Sequence, residues 1–270
     1  MKSFPAFGIL FGSRARLSEL RAFLEKSSGL PGPRANLELG ASFAEAVSRM
    51  KLQEWQWDFL VQVGSTSPHK APENTPKVYA VFCALLALGA LYGQGLPRPR
   101  RREALAVIRR AAADERWRVR EASAMALQKV GEADAAELIG IVSGWMTDAS
   151  WLEMRAIAAA LAHPPILTGD VAAFSLEVSG RILAAMSRAD AAERRRDEFR
   201  VLRQGMGYAL SVFAAAAPAE GFALLRKTAA VSDRDLAWIV RENLKKKRLA
   251  AASPDEVAAV AAVLDETGAK

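Results

Sequence analysis

The sequence predicts an all-α protein, a right-handed solenoid of stacked helical pairs. Three observations lead there. A phrase recurs: Asp114 is followed six residues later by Arg120, Asp197 by Arg203 and Asp235 by Arg241, and Asp148 with Arg155 repeats it with one residue inserted. The second observation is composition, with alanine abundant and β-branched runs scarce, which favours helix over strand. The third is spacing: the repeat arginines lie 35, 48 and 38 residues apart, the period of stacked two-helix units.

The elements follow in order. Residues 1–13 read as an irregular lead-in. Ser13 to Lys26 carries Leu17, Leu20, Phe23 and Leu24 at helical spacing. Gly29-Leu30-Pro31-Gly32-Pro33 breaks the chain, and Asn36 is a cap for a helix with Phe43, Val47 and Met50 on one face. A short helix runs from about Gln53 to Val63, and Gly64 to Thr75 is a loop. Pro76 to Tyr92 is an apolar helix, shorter than the roughly 20 residues a membrane span needs. Gly93 to Arg102, rich in Gly, Pro and Arg, reads as a linker.

Beyond it the order becomes regular. Helix Glu103–Ala113 turns at Asp114-Glu115 into Arg116–Val130. Helix Ala133–Met146 turns into Trp151–Ala162, which His163-Pro164-Pro165 ends. Helix Asp170–Ser187 leads across the charged insertion Arg188–Arg196 to Asp197–Ala216. Pro218–Ala230 turns into Asp233–Leu249, and Pro254–Thr267 closes the chain. Ser150 with Glu153 and Ser253 with Glu256 read as capping boxes. Residues 1–97 form a helical N-terminal cap region, and 98–270 form the repeats, continuous with it as one solenoid.

These repeats resemble HEAT repeats, whose second helix opens with an aspartate turn, a Val-Arg pair, small residues and a leucine. Asp114…Val119-Arg120-Glu121-Ala122…Leu127 carries the resemblance most closely. Asp235…Val240-Arg241-Glu242 and Asp197…Leu202-Arg203…Leu210 are looser, and coverage is about 100–250. The resemblance implies a curved stack lined by the second helices. The chain also resembles, more weakly, the HEAT-like alkylpurine DNA glycosylases, which are basic, all-helical and of similar length. Their Trp-x-x-x-Asp is missing: Trp117…Glu121 and Trp238…Glu242 are the nearest forms, so no catalytic residue is carried across.

Composition narrows the partners. The chain of 270 residues is 51% apolar with a net charge of +7, which suits an acidic partner without choosing among nucleic acid, anionic membrane and acidic protein. The single cysteine, Cys83, excludes disulfide scaffolding within the chain and fits a reducing cytoplasm, where it reads as a small buried hydrophobe. The first residues lack the apolar core and cleavage site of a secretion signal. No Cys/His/Asp spacing suits zinc, and His69 and His163 stand in loops with nothing nearby to build a triad. No metal and no cofactor are expected.

Basic clusters are the functional lead: Arg101, Arg102, Arg109 and Arg118 early in the repeats, Arg195 and Arg196 in the insertion, and Lys245, Lys246 and Arg248 near the end. Between Arg226 and Leu249 there are eight basic residues and three acidic ones. Such a rim would track phosphates; the competing reading is a solvated face, with cations stabilising helix C-termini. Trp57, Trp117 and Trp238 are the aromatic candidates for base stacking; for Trp117 and Trp238, which open second helices, packing against the preceding helix is favoured, while Trp55 and Trp57, two apart, point to different faces of their helix. For Asp114, Arg120, Asp148, Arg155, Asp197, Arg203, Asp235 and Arg241 the favoured role is a structural ladder between repeats, with aspartates bonding turn amides. Gly205 and Gly207 read as points of close helix approach. The leading function is a non-enzymatic cytoplasmic scaffold for a protein or polyanionic partner. The alternative is duplex DNA binding related to alkylated-base excision, and a membrane-surface adaptor ranks third.

Overall fold

The computed structural model describes residues 7–268, which form helices joined by loops, with no strand among them. The chain divides into two compact units between Leu138 and Ile139. The division falls inside a helix (α8, Ala135–Trp145) rather than in the 93–102 segment.

In the first unit, α1 (Phe7–Phe11) and a 3-10 turn at Arg14–Arg16 precede α2 (Leu17–Lys26), α3 (Leu37–Ser48), α4 (Glu54–Gly64), α5 (Pro76–Tyr92), α6 (Arg98–Ala112) and α7 (Trp117–Ala133). Helices α3, α5 and α7 pack side by side, and α4 and α6 form a second row against α5 and α7. Asn36 caps α3 as expected, accepting from the Leu39 amide at 3.1 Å. The irregular lead-in expected over 1–13 is instead helical from Phe7 to Phe11, and residues 1–6 lie outside those described. Phe7 and Phe11 set their rings edge-on to Phe43 at 5.3 and 5.9 Å, and Gln56 donates to the Phe11 carbonyl. A five-residue helix is too short to show a period, and tertiary packing makes it.

Helix α5 is the centre of this unit, with every side chain from Val78 to Leu88 buried. Each of its larger apolar side chains contributes about 1.5–3 kcal/mol. Gly89 lets α7 approach: a Cβ there would lie 2.5 Å from the Ala126 carbonyl oxygen. Burial pushes the Cys83 thiol well above its ordinary pKa, so it is an inert core group.

The segment 93–102 is not a linker over its whole length, because α6 begins at Arg98. Pro97 and Pro99 sit where a helix start tolerates proline. Arg100 pairs with Glu54 at 2.7 Å and lies 5.2 Å over the Trp57 ring, docking the first turn of α6 on α4.

The second unit holds α9 (Trp151–Leu161), α10 (Asp170–Arg188), α11 (Ala191–Arg195), α12 (Asp197–Ala216), α13 (Pro218–Ala229), α14 (Arg234–Leu244), α15 (Lys247–Ala250) and α16 (Pro254–Thr267). Helices α9, α12 and α14 lie side by side, and α10, α13 and α16 form the other row. The Ser150–Glu153 capping box is present. The Ser253–Glu256 box is absent, because Glu256 pairs with Arg226 instead. The charged insertion carries the short helix α11, capped by Asp190. The helix expected over 233–249 breaks at Lys245-Lys246 into α14 and α15.

Candidate polyanion interface

In the second unit one face of the α12–α14–α15 row gathers aromatic and basic side chains. Register between α12 and α14 is set by Asn243, which is fully buried. Its Nδ2 donates to the Met206 and Ile239 carbonyls at 2.8 Å, and its Oδ1 accepts from the Ser211 amide at 2.7 Å. A satisfied buried amide of this kind selects one alignment of two apolar helices. Gly207 then faces Trp238: a Cβ there would meet the indole at 2.9 Å. Arg203, one turn before Gly207 on α12, stacks on the ring, its guanidinium carbon 4.0 Å from the ring centre.

Tyr208, the residue after Gly207 on α12, is 48% exposed. Arg248 from α15 lies 4.7 Å over its ring and donates to its hydroxyl at 2.8 Å. Lys245 and Lys247 are exposed on either side of the α14–α15 break, and Lys246, half-buried, directly precedes α15. Lys245 pairs with Glu242 at 2.6 Å, and that bond holds the Glu242 carboxyl below the usual range.

A carboxylate pair organises the base of this face. Asp235 lies 2.9 Å from both Arg194 Nη1 and Arg203 Nε, and Asp233 takes Arg194 Nη2 at 2.6 Å. Arg194 also donates to the Met186, Ser187 and Ala189 carbonyls, closing the end of α10. Burial works against the Asp233 charge, but hydrogen bonds from Arg194 and the Leu236 amide prevail and hold its pKa low.

Among the ladder residues, Asp114 bonds a turn amide and Arg203 reaches the aspartate of the next pair. Asp114 accepts from the Arg116 amide at 2.8 Å, but its side-chain partner is Arg116, not Arg120. Arg120 donates to the Asp114 and Glu115 carbonyls. Asp197 is exposed and pairs with Arg200 at 3.1 Å. Arg203 meets Asp235 of the following pair rather than Asp197. Asp148 is exposed in its turn, Arg155 is half-buried with its Cγ facing Gly205, and Arg241 is half-buried on α14.

Of the basic candidates, Arg118 is buried, donating to the Gly32 and Pro33 carbonyls and lying 3.9 Å from the Trp117 ring. It closes the 29–33 break and does not face solvent. Arg101 lies 5.1 Å over the Tyr92 ring and 3.7 Å from Glu137. Burial and a hydrogen bond to Glu137 push Tyr92 up to about 12. Arg102 is exposed, Arg109 half-buried, and Arg195 and Arg196 are exposed on and beside α11. Trp57 is buried and donates to Glu103 at 2.6 Å, so it offers no stacking face. Trp117 is 39% exposed. Sequence reasoning passed over Tyr208 and Asn243, and took Arg116 and Arg194 only as members of the basic clusters. Tyr208 had a signal: Arg200, Gln204 and Tyr208, four apart, lie off the apolar stripe of α12.

Among the described residues, no group of three or more His, Cys, Asp or Glu can hold a metal, and no helix is long and apolar enough to cross a membrane. Neither the family models nor the curated proteins match this chain.

Proposed function

We propose that this chain is a non-enzymatic scaffold of HEAT-like repeats that binds a polyanionic partner through the α12–α14–α15 face. What supports the repeat reading is the two-row order inside each unit, with second helices neighbouring second helices. The observation that carries the binding reading is Tyr208, an exposed ring backed by Arg248 of a segment in which Lys245 and Lys247 are also exposed. A nucleic-acid strand suits that combination best. Lysines and arginines take phosphates, and a planar ring stacks on a base without reading its identity.

The test is fluorescence anisotropy with a labelled single-stranded oligonucleotide, a duplex and an acidic peptide over a salt series. Binding that falls steeply with salt is expected, weakened about tenfold by Tyr208→Ala with Arg248→Gln. Absence of binding to all three at low salt would sink the proposal.

The second reading, duplex DNA binding with a relation to alkylated-base excision, draws on Trp238 and Glu242, an aromatic and an ionised carboxylate one turn apart on α14. Arg203 already covers one face of that indole, which favours the non-catalytic reading. Release of an alkylated base from duplex DNA would reverse the order of the two.

A further inference from the structure

The first unit holds a cleft of about 950 Å³ between α2, α4, α5 and the loop that follows α4. Its volume falls at the upper end of the range for small-molecule sites. Three cations from three elements line it: Arg21 of α2, Lys70 of the loop and Lys77 in the first turn of α5. Glu25 is the one carboxylate in its lining. Among the described residues, none of the three cations makes an ion pair, whereas many other basic side chains in the protein do. The loop adds Ser65, Thr66 and Ser67 in succession. The floor is apolar, including Val63 and Val81, and Phe59 forms part of the lining.

The loop is held in place by a buried charge. Arg116, 3% exposed, donates to the Thr66 carbonyl at 2.8 Å and to the Ala71 carbonyl at 2.9 Å. Its own charge is balanced by Asp114, which takes Nε at 2.8 Å and Nη2 at 2.7 Å. The Lys70 and Ala71 amides donate to the Ser67 carbonyl at 3.1 Å, closing a turn between the hydroxyls and the lysine. Burying an arginine is costly unless its donors are met. Here they are met by the carbonyls that shape the cleft wall, so the hydroxyls and Lys70 are preorganised on an irregular segment. Irregular segments pinned to a rigid scaffold are where binding residues concentrate.

We propose that this cleft binds a small phosphomonoester whose organic part is apolar or aromatic. Arg21, which lies 5.8 Å over the Phe59 ring, meets the dianion with Lys70 and Lys77, the Ser65 and Ser67 hydroxyls donate to its oxygens, and the organic part lies along the apolar floor. The site is in the first unit and is independent of the polyanion face on the second.

Isothermal titration calorimetry of the full chain with phenyl phosphate, inorganic phosphate and phenol tests this. Saturable binding of phenyl phosphate is expected, tighter than inorganic phosphate and weakened by salt, with no binding of phenol. Lys70→Gln with Lys77→Gln should weaken it at least tenfold at an unchanged melting temperature, because both side chains are exposed. Should that pair unfold, Arg21→Gln, also at an exposed position, serves alone. Tyr208→Ala should leave the affinity unchanged. No saturation with phenyl phosphate, equal binding of phenol, or an affinity indifferent to the cation substitutions in a folded variant would overturn the proposal.

Discussion

Arg203 and Trp238 are stacked, guanidinium on indole at 4.0 Å, while Arg203 Nε lies 2.9 Å from Asp235. The Nε makes no hydrogen bond, so the contact with Asp235 is an ion pair without the alignment of one. Planarity therefore matters as much as charge. Arg203→Lys keeps the cation and loses the flat stack, and is expected to cost about 1 kcal/mol. Urea denaturation measures the loss, and the Trp238 emission should shift to the red. A variant as stable as the parent would show the stack to be incidental.

Arg116 joins α7 to the loop before α5, and its removal strands both Asp114 and two carbonyls. Arg116→Met should destabilise by about 3–5 kcal/mol, the penalty of an uncompensated buried charge. Asp114→Leu added to it should recover part of that loss, since no carboxylate is then left alone. A double variant worse than the single by the full cost of a second lesion would contradict the pairing.

Acid should act on the second unit through Asp233. Its folded pKa lies below the ordinary 3.8, held there by Arg194 and the Leu236 amide against burial. A depressed carboxylate contributes stability that is complete above its unfolded pKa and is lost as pH falls through the folded value. Asp233→Asn keeps the cap and removes the charge. At pH 7 it should melt lower than the parent, and the gap should close below about pH 4. A gap that persists at pH 2 would place the effect elsewhere.

Two glycines allow a graded comparison. At Gly89 an added Cβ meets the Ala126 backbone at 2.5 Å, and backbone cannot step aside without parting α5 from α7. At Gly207 the obstacle is the Trp238 ring at 2.9 Å, which can tilt. Gly89→Ala should cost about 3 kcal/mol or more and Gly207→Ala about 1–2, the latter with a change in near-ultraviolet circular dichroism. Equal melting temperatures would remove the distinction between the two contacts.

Helix positions were readable from the chain because they rest on local rules. Apolar spacing, Pro76 and Pro254 at first helical positions, and the Ser150–Glu153 box act over a few residues, so α5, α9, α12 and α16 fall within one residue of their sequence bounds. The same rules failed where distant partners intervene. Phe43 makes a helix of 7–11, Trp57 and Glu54 seat an Arg-Pro run as the start of α6, and Arg226 takes Glu256 from its cap. The recurring Asp–Arg phrase marked true helix starts, while the partners of its arginines are set by packing. An arginine reaches several ångströms and bonds whichever carboxylate or carbonyl packing brings near.

The helical character, the element order and the excess of basic charge are thus properties of residue type and spacing, which operate without reference to the rest of the fold. Which cations face solvent and which are buried in structural roles is a property of packing. Arg116, Arg118 and Arg194 look like phosphate-binding residues in a basic run, and each instead satisfies carbonyls left open by a loop or a helix end. Tyr208 with Arg248, and the cleft flanked by Arg21, Lys70 and Lys77, exist only once residues far apart in the chain share a surface. Such groupings depend on how helices dock, and docking is decided by the sum of many small contacts that no local pattern encodes.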